Sequence, residues 1–216
     1  MASQGKIRSG VLTPAQAREI YAYNERLFER YVTKIRRLPE QAARRREGIG
    51  HETLFNTLVH ILNVHEVWLG YILQGRSSDP ELRALFLDPS RQPRDWTGFR
   101  RYNRRVWQLV HRYLESVTAR NLAQPVRVFW MSGRYVAADG ILQATFDQAH
   151  HLGEIIGVLR QHDIEPPEMA WIRMGGPAAA RRSIPPRSRT KPLADDSGRR
   201  ARRRTDNQGQ SLGARA

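Results

Sequence analysis

Four long stretches of this chain repeat their apolar residues every three or four positions, the spacing that lines one face of an α-helix. In the first, Ile20, Tyr21, Asn24, Leu27, Phe28, Tyr31 and Ile35 recur to about Arg37, and Leu38-Pro39 ends the pattern. Its start carries a capping box: Thr13 as N-cap, Pro14 at the first helical position and Gln16 three residues after the cap. The second stretch runs from about Glu52 to Gln74 and closes at Gly75. It is apolar on more than one side, as expected of a helix with neighbours on both flanks. The third is capped by Asp95, carries Phe99, Tyr102, Val106, Trp107, Val110 and Leu114, and fades near Ala119. The fourth runs from about Asp139 to His162, ahead of Pro166-Pro167.

The intervening segments read differently. Arg44 to Arg46 and Gly48-Ile49-Gly50 form a connection, and Ser78-Asp79-Pro80-Glu81 caps a short helix that ends near Asp88-Pro89. Val126, Val128 and Trp130 alternate with Arg127 and Phe129, then Ser132-Gly133 turns into Tyr135-Val136-Ala137, which predicts a small β-hairpin. Four helices of about 22 residues, each roughly 33 Å long, make an all-α four-helix bundle with a β-hairpin insertion before the last helix. The organisation expected is a flexible N-terminus over 1–12, the bundle over 13–175 and a disordered Arg-rich tail over 176–216. Trp68 and Trp107 fall on apolar stripes and are read as core; Trp130 and Trp171 are also expected to pack against it.

Charge and composition narrow the function classes. The net charge is +15, but residues 176–216 hold ten Arg and one Lys against three Asp, a net of +8. That stretch is rich in Pro, Ser and Gly and has too few large apolar residues to offset its ordering entropy. Arg-Arg-Ala-Arg-Arg-Arg at 199–204 suits weak, non-specific nucleic-acid contact at most. Cysteine is absent, which removes disulfides, thiolate ligands and any nucleophilic thiol of the chain's own. The N-terminus has no apolar run resembling a signal peptide. The apolar stretch around 54–73 is interrupted by His60, Asn63, His65 and Glu66, too often for a membrane span. A soluble, cytoplasmic protein is expected. No phosphate-cradling Gly loop, nucleophile elbow or dinucleotide fingerprint occurs.

Candidate chemistry lies inside two of the helices. His60 is flanked by Leu58, Val59, Ile61 and Leu62, which places it at interior depth. Asp147 and His151 are four apart, and so share one face of the last helix. If the two helices face each other, His60, Asp147 and His151 supply three N/O ligands with positions left open, the description of a catalytic divalent-metal site. Two imidazoles and a carboxylate suit Zn, Ni, Mn or Fe(II). His150, three beyond Asp147, is an alternative to His151. Glu154 shares their stripe and fits a hydrogen-bonding partner for His151, an additional ligand, or a catalytic proton carrier. His65, His111 and His162 lack paired spacing and are read as structural or surface residues.

Three segments resemble the DinB/YfiT-like family of small helical metalloproteins: YNERLFERY in the first helix, LVHILNVHEVWLGYI in the second and FDQAHHLGEIIGVLRQHDIEPPE in the last. The resemblance spans roughly 13–175. It implies a four-helix bundle, commonly dimeric, holding a divalent metal with three His. It selects His151 over His150, puts the first ligand on His60 and matches Gly153. Asp147 stands where the family has its other helix-four His, with Leu152 and Glu154 in place of an Arg and a Gln. The implied function is that of a damage-inducible, metal-dependent enzyme, a transferase or isomerase using a low-molecular-weight thiol on a small-molecule substrate. A non-catalytic, stress-associated binding module is the alternative; its metal site would be degenerate and its basic tail would contact nucleic acid or an acidic partner.

Because the tail lacks core-forming residues, truncation at Gly176 is expected to leave the thermal midpoint within a few degrees of the full chain. Differential scanning calorimetry of both forms checks this; a large drop on truncation contradicts it.

Overall fold

A computed structural model describes residues 12–87 and 91–171. Four long helices dominate: α1 (Pro14–Arg36), α3 (Leu54–Gly70), α5 (Trp96–Ser116) and α7 (Ala137–Gln161). Among the described residues three short helices join them: α2 (Glu40–Arg44), α4 (Pro80–Leu87) and α6 (Ala119–Leu122), and α3 is followed by a 3-10 turn at Ile72–Gln74. β1 (Pro125–Val126) and β2 (Tyr135–Val136) pair antiparallel just before α7. The long helices form a closed ring, α1 against α5, α5 against α3, α3 against α7 and α7 against α1. The all-α bundle with its hairpin is therefore the fold. The tail expected from 176 onward and residues 1–11 lie outside the described residues.

Capping explains most of the helix starts. Thr13 Oγ1 accepts from Gln16 N, and Gln16 Oε1 accepts from Thr13 N, completing the box. Thr53 caps α3 through Asn56 N at 3.0 Å, and Asp95 caps α5 through Gly98 N at 2.6 Å. Each such cap satisfies a backbone donor that the helix itself cannot, a contribution of about 1 kcal/mol. The second helix accordingly starts at Leu54, after a cap that the expected start at Glu52 passes over. Its α-helical part stops at Gly70, four residues short of the sequence estimate, because the chain tightens into the 3-10 turn and exits through Gly75 at φ +73°. The last helix begins directly from β2 at Ala137, with Asp139 Oδ2 accepting from Val136 N. Residues 40–44, of which only Arg44 was expected in the connection, form α2.

Burial of α3 sets the architecture. Among its residues only Asn56, His60 and Val64 are not buried, and their spacing makes them a single stripe. At the start of α3, Phe55 packs against Trp96 and Phe99 with ring centroids 5.0 and 5.8 Å apart, and Phe28 continues the aromatic cluster through Phe99 and Trp107. Trp96 Nε1 donates to Glu40 Oε2 at 2.9 Å, and Arg44 lies over the Phe55 ring. These contacts fix α2, and with it the loop leading into α3. Trp68 and Trp107 are buried as expected, but Trp130 and Trp171 are 43% and 41% exposed. Trp130 sits at the hairpin tip with one edge on Trp68, and Trp171, beyond the end of α7, rests edge-on against Tyr23.

A buried polar layer ties three of the helices in register. His65 Nε2 and Gln148 Oε1 lie 2.7 Å apart, Gln148 Nε2 donates to the Asn24 carbonyl at 3.0 Å, and Asn24 Nδ2 donates to Thr145 Oγ1 at 3.1 Å. Desolvation lowers the His65 pKa to about 4, against the opposing hydrogen bond with Gln148. The unfolded chain protonates this histidine near 6.5. As pH falls through that value the unfolded state binds the proton first, and stability declines until the folded pKa is passed. Chemical denaturation at pH 7 and pH 5 should therefore differ by about 2 kcal/mol from this residue. The His65→Gln protein should lose that part of the slope; an unchanged slope would refute the assignment.

Candidate metal centre

The loop between α2 and α3 turns back onto α7 and carries a histidine with it. Glu47 N donates to the Glu52 carbonyl at 2.7 Å and Glu52 N to the Ile49 carbonyl at 2.8 Å. Gly48 and Glu52 adopt φ +69° and +65°. For Glu52 this left-handed conformation is strained, a cost of order 1 kcal/mol that the surrounding turn must hold in place. The loop is fastened to α7 twice. Gly50 N donates to Glu154 Oε1 at 3.4 Å, and Glu47 faces His162 Nε2 at 3.1 Å.

His51, at the end of this loop, stacks on His60 with centroids 3.6 Å apart and planes 21° apart. Its ring is 4.9 Å from that of His151, and His60 and His151 are 4.6 Å apart. Ligand nitrogens of His51, His60 and His151 all lie within 4.8 Å of one another. Asp147 Oδ2 is 3.7 Å from both His60 Nε2 and His151 Nε2. That oxygen is buried and has no hydrogen-bond partner. An ionisable oxygen in this state is costly unless something charged meets it. Three imidazole nitrogens within 4.8 Å of one another, two of them 3.7 Å from an unpartnered carboxylate oxygen, suit a divalent cation in donor type.

Each residue owes its position to an identifiable element. His60 is the middle member of the one open stripe on α3, and its side chain is 29% exposed, so it sits at the mouth of the bundle rather than at interior depth. His151 is buried, and its Nδ1 lies 2.7 Å from Glu154 Oε2. This contact holds the proton on Nδ1 and leaves Nε2 facing His60 and Asp147, the usual arrangement behind a metal-binding histidine. His150 points outward, with Nε2 3.8 Å from Glu154 Oε1, and forms a second group with His151 and Glu154. Glu154 therefore joins α7 to the His51 loop.

The electrostatics favour neutral rings and a charge-seeking carboxyl. Burial pushes the His60 pKa down to about 3, helped by the nearby His51 and His151. His51 is lowered by the same desolvation and by His151, with Glu154 opposing. Asp147 is raised, first by burial, against the attraction of His151 and His150. Burial acts to raise Glu154 too, but the hydrogen bonds from His151 and Gly50 N and the charges of His151 and His150 hold it below its usual value. At neutral pH the His51 and His60 rings thus present lone pairs, and Glu154 is ionised.

The structure brings His60, Asp147, His151 and Glu154 together and adds His51, which sequence reasoning did not single out. No periodicity marks a ligand carried on a loop. The signal available was the cap at Thr53-x-x-Asn56, which puts His51 outside α3, where a turn can bend it back over His60. His65 lies in the buried layer, while His111 faces Glu25 at 2.8 Å on the surface.

A comparison with protein families matches residues 23–155 to the DinB superfamily. The chain is a member of the DinB superfamily. The match covers more than half of its length and ends four residues beyond His151, so it takes in every residue of the centre. A comparison with curated proteins finds no match. Among the described residues no helix is long and apolar enough to cross a membrane.

Since Glu154 is one of the two links between α7 and the loop, Glu154→Ala should loosen the loop without unfolding α3. Hydrogen exchange should speed up roughly tenfold over 47–53, the loss of about one hydrogen bond's protection, with amides of α3 unchanged. Equal acceleration throughout α3 would contradict this local role.

Proposed function

We propose that this DinB-superfamily protein is a metal-dependent enzyme, of transferase or isomerase type, acting on a small molecule with a low-molecular-weight thiol as co-substrate. The observation that carries the reading is the unpartnered Asp147 oxygen facing His60 and His151, with His51 stacked behind. His51, His60 and His151 would hold a divalent ion such as Zn, Ni, Mn or Fe(II), with Asp147 as the carboxylate ligand. Bound there, such an ion polarises a carbonyl or lowers the pKa of a coordinated thiol or water. With no cysteine in the chain, the thiol has to come from solution.

The chain's own residues do the remaining work. Glu154 keeps His151 in the tautomer that offers Nε2. Being ionised, it is also placed to take up the proton that a thiol or water loses, either directly or by exchange through the His151 ring. His51 stacks on the His60 ring and covers that face of it.

A second reading draws support from Asp147 and Leu152, which depart from the pattern of the resemblance. In it the protein is a non-catalytic, stress-associated binding module, and the basic stretch beyond 176 contacts nucleic acid or an acidic partner. Activity separates the two. Metal-loaded protein incubated with small thiols and electrophilic acceptors should consume thiol. Glu154→Gln should lower kcat by about 100-fold, within the range for a lost proton carrier, while keeping most of the metal. Asp147→Ala should lose metal and turnover together, and Asp147→His should retain both. Metal-loaded wild type that turns over no thiol across such a panel would remove the enzymatic reading.

A further inference from the structure

The outward face of α5 carries charge that the rest of the bundle does not answer. Over Trp96–Ser116 there are five Arg against a single acid, Glu115. Arg100, Arg101, Arg104, Arg105 and Arg112 are all exposed, spaced so that they share the side of the helix opposite its buried residues. Arg105 reaches a counter-charge, the buried Glu66 at 2.6 Å. The other four meet no carboxylate within ion-pair distance among the described residues. In other parts of the fold arginines are matched: Arg44, Arg45, Arg46 and Arg76 lie against Glu40, Glu47, Glu52 and Asp79. Like charges three and four apart, as Arg104 is from Arg101 and Arg100, repel on a helix. α5 is therefore less stable for carrying them, and folding does not account for the pattern. Arg36, near the end of α1, joins Arg100 and Arg104 around a cleft of about 440 Å³ and also lacks a carboxylate partner among the described residues. The acids of that cleft, Glu25 and Glu29, are engaged by His111 and Asn103.

What meets this face has to be anionic and extended. The segment 176–216 has a net charge of +8, the same sign, so the chain does not cover the face with its own tail. The exposed large apolar residues described, Phe129, Trp130, Met131, Phe146 and Trp171, all lie on other elements. A protein interface is built around an apolar centre, and basic helices that lie on membranes also bury an apolar side; α5 offers neither. It also exposes no aromatic ring on which unpaired bases could stack. The phosphates of a duplex ask for none of these, only for cations set along a line. From Arg100 to Arg112 the helix rises about 18 Å, the span of about five phosphates on one strand. We propose that the outward face of α5 binds the phosphate backbone of duplex nucleic acid, with Arg100, Arg101, Arg104 and Arg112 as its contacts and Arg36 at its edge. Binding of this kind positions the duplex without reading its sequence. It needs no metal at the histidine centre, and it belongs to the folded bundle rather than to the basic tail.

Fluorescence anisotropy of a labelled 20-base-pair duplex, titrated with the full chain over a range of salt concentrations, tests this. Each phosphate contact adds about 0.9 to the slope of log affinity against log salt. Changing Arg100, Arg101, Arg104 and Arg112 together to Gln should make that slope shallower by about 3 to 4 and weaken binding at least tenfold. The thermal midpoint should stay the same or rise, since repulsion along α5 is removed. Changing the same four to Lys keeps the charge and should preserve binding. A control of equal charge, Arg199, Arg200, Arg202 and Arg203 to Gln, should change the slope less than the α5 variant does. A wild type that does not bind the duplex in low salt overturns the proposal. So does a tail variant that loses as much as the α5 variant or more, which would put the contact in the tail. Equal losses for the Lys and Gln variants of α5 overturn it as well, because the effect would then be structural. Tighter binding to vesicles of anionic lipid than to the duplex would assign the face to a membrane surface instead.

Discussion

The near-complete enclosure of α3 is the constraint from which the rest follows. Packed by α5, α7 and α1, it leaves one stripe uncovered, and His60 is the only ionisable residue on it. A group there is desolvated enough to stay neutral, yet open enough to be reached. α7 runs alongside and presents Asp147 and His151 to the same point. The loop before α3 lies over the gap because the aromatic cluster of Phe55, Trp96 and Phe99 fixes where α3 begins and Glu154 fixes where the loop lands. The centre is thus a consequence of how the bundle closes, and its residues come from three elements that could not meet otherwise.

Much of the fold was legible because the sequence states it twice. Thr13 and Asp95 mark helix starts chemically, and the three-and-four spacing of Leu, Phe, Tyr and Val marks the buried faces. His60, Asp147, His151 and Glu154 were legible for the same reason: helical spacing converts a sequence interval into a shared face. His51 was not. Its position depends on two left-handed residues, Gly48 and Glu52, and on hydrogen bonds to a helix a hundred residues away. The depth of His60 was misjudged because apolar neighbours on both sides suggest an interior site, whereas a helix packed on three sides still has a fourth. Trp130 and Trp171 show the converse. Large aromatic rings are read as core by default, but Trp130 at the hairpin tip meets Trp68 only edge-on and Trp171 meets Tyr23 in the same way.

His51 also alters the meaning of Asp147. On the sequence alone, a carboxylate in place of a histidine looks like a loss of one imidazole. In the structure a third imidazole arrives from the loop, and the carboxylate oxygen adds to the set without reducing it. An oxygen beside three imidazole nitrogens makes the candidate donor set harder than three histidines alone. Glu154 unites the two halves of this arrangement, with one oxygen setting the His151 tautomer and the other holding the loop that brings His51.

The account rests on these residues taking up a cation, and the most direct test is to strip the full-length wild-type protein with chelator, reconstitute it separately with Zn, Ni and Mn, and measure bound metal per chain after desalting. One ion per chain for at least one of the three metals, lost on His60→Ala, is the expected result. Wild-type protein that remains empty with all three would contradict the account.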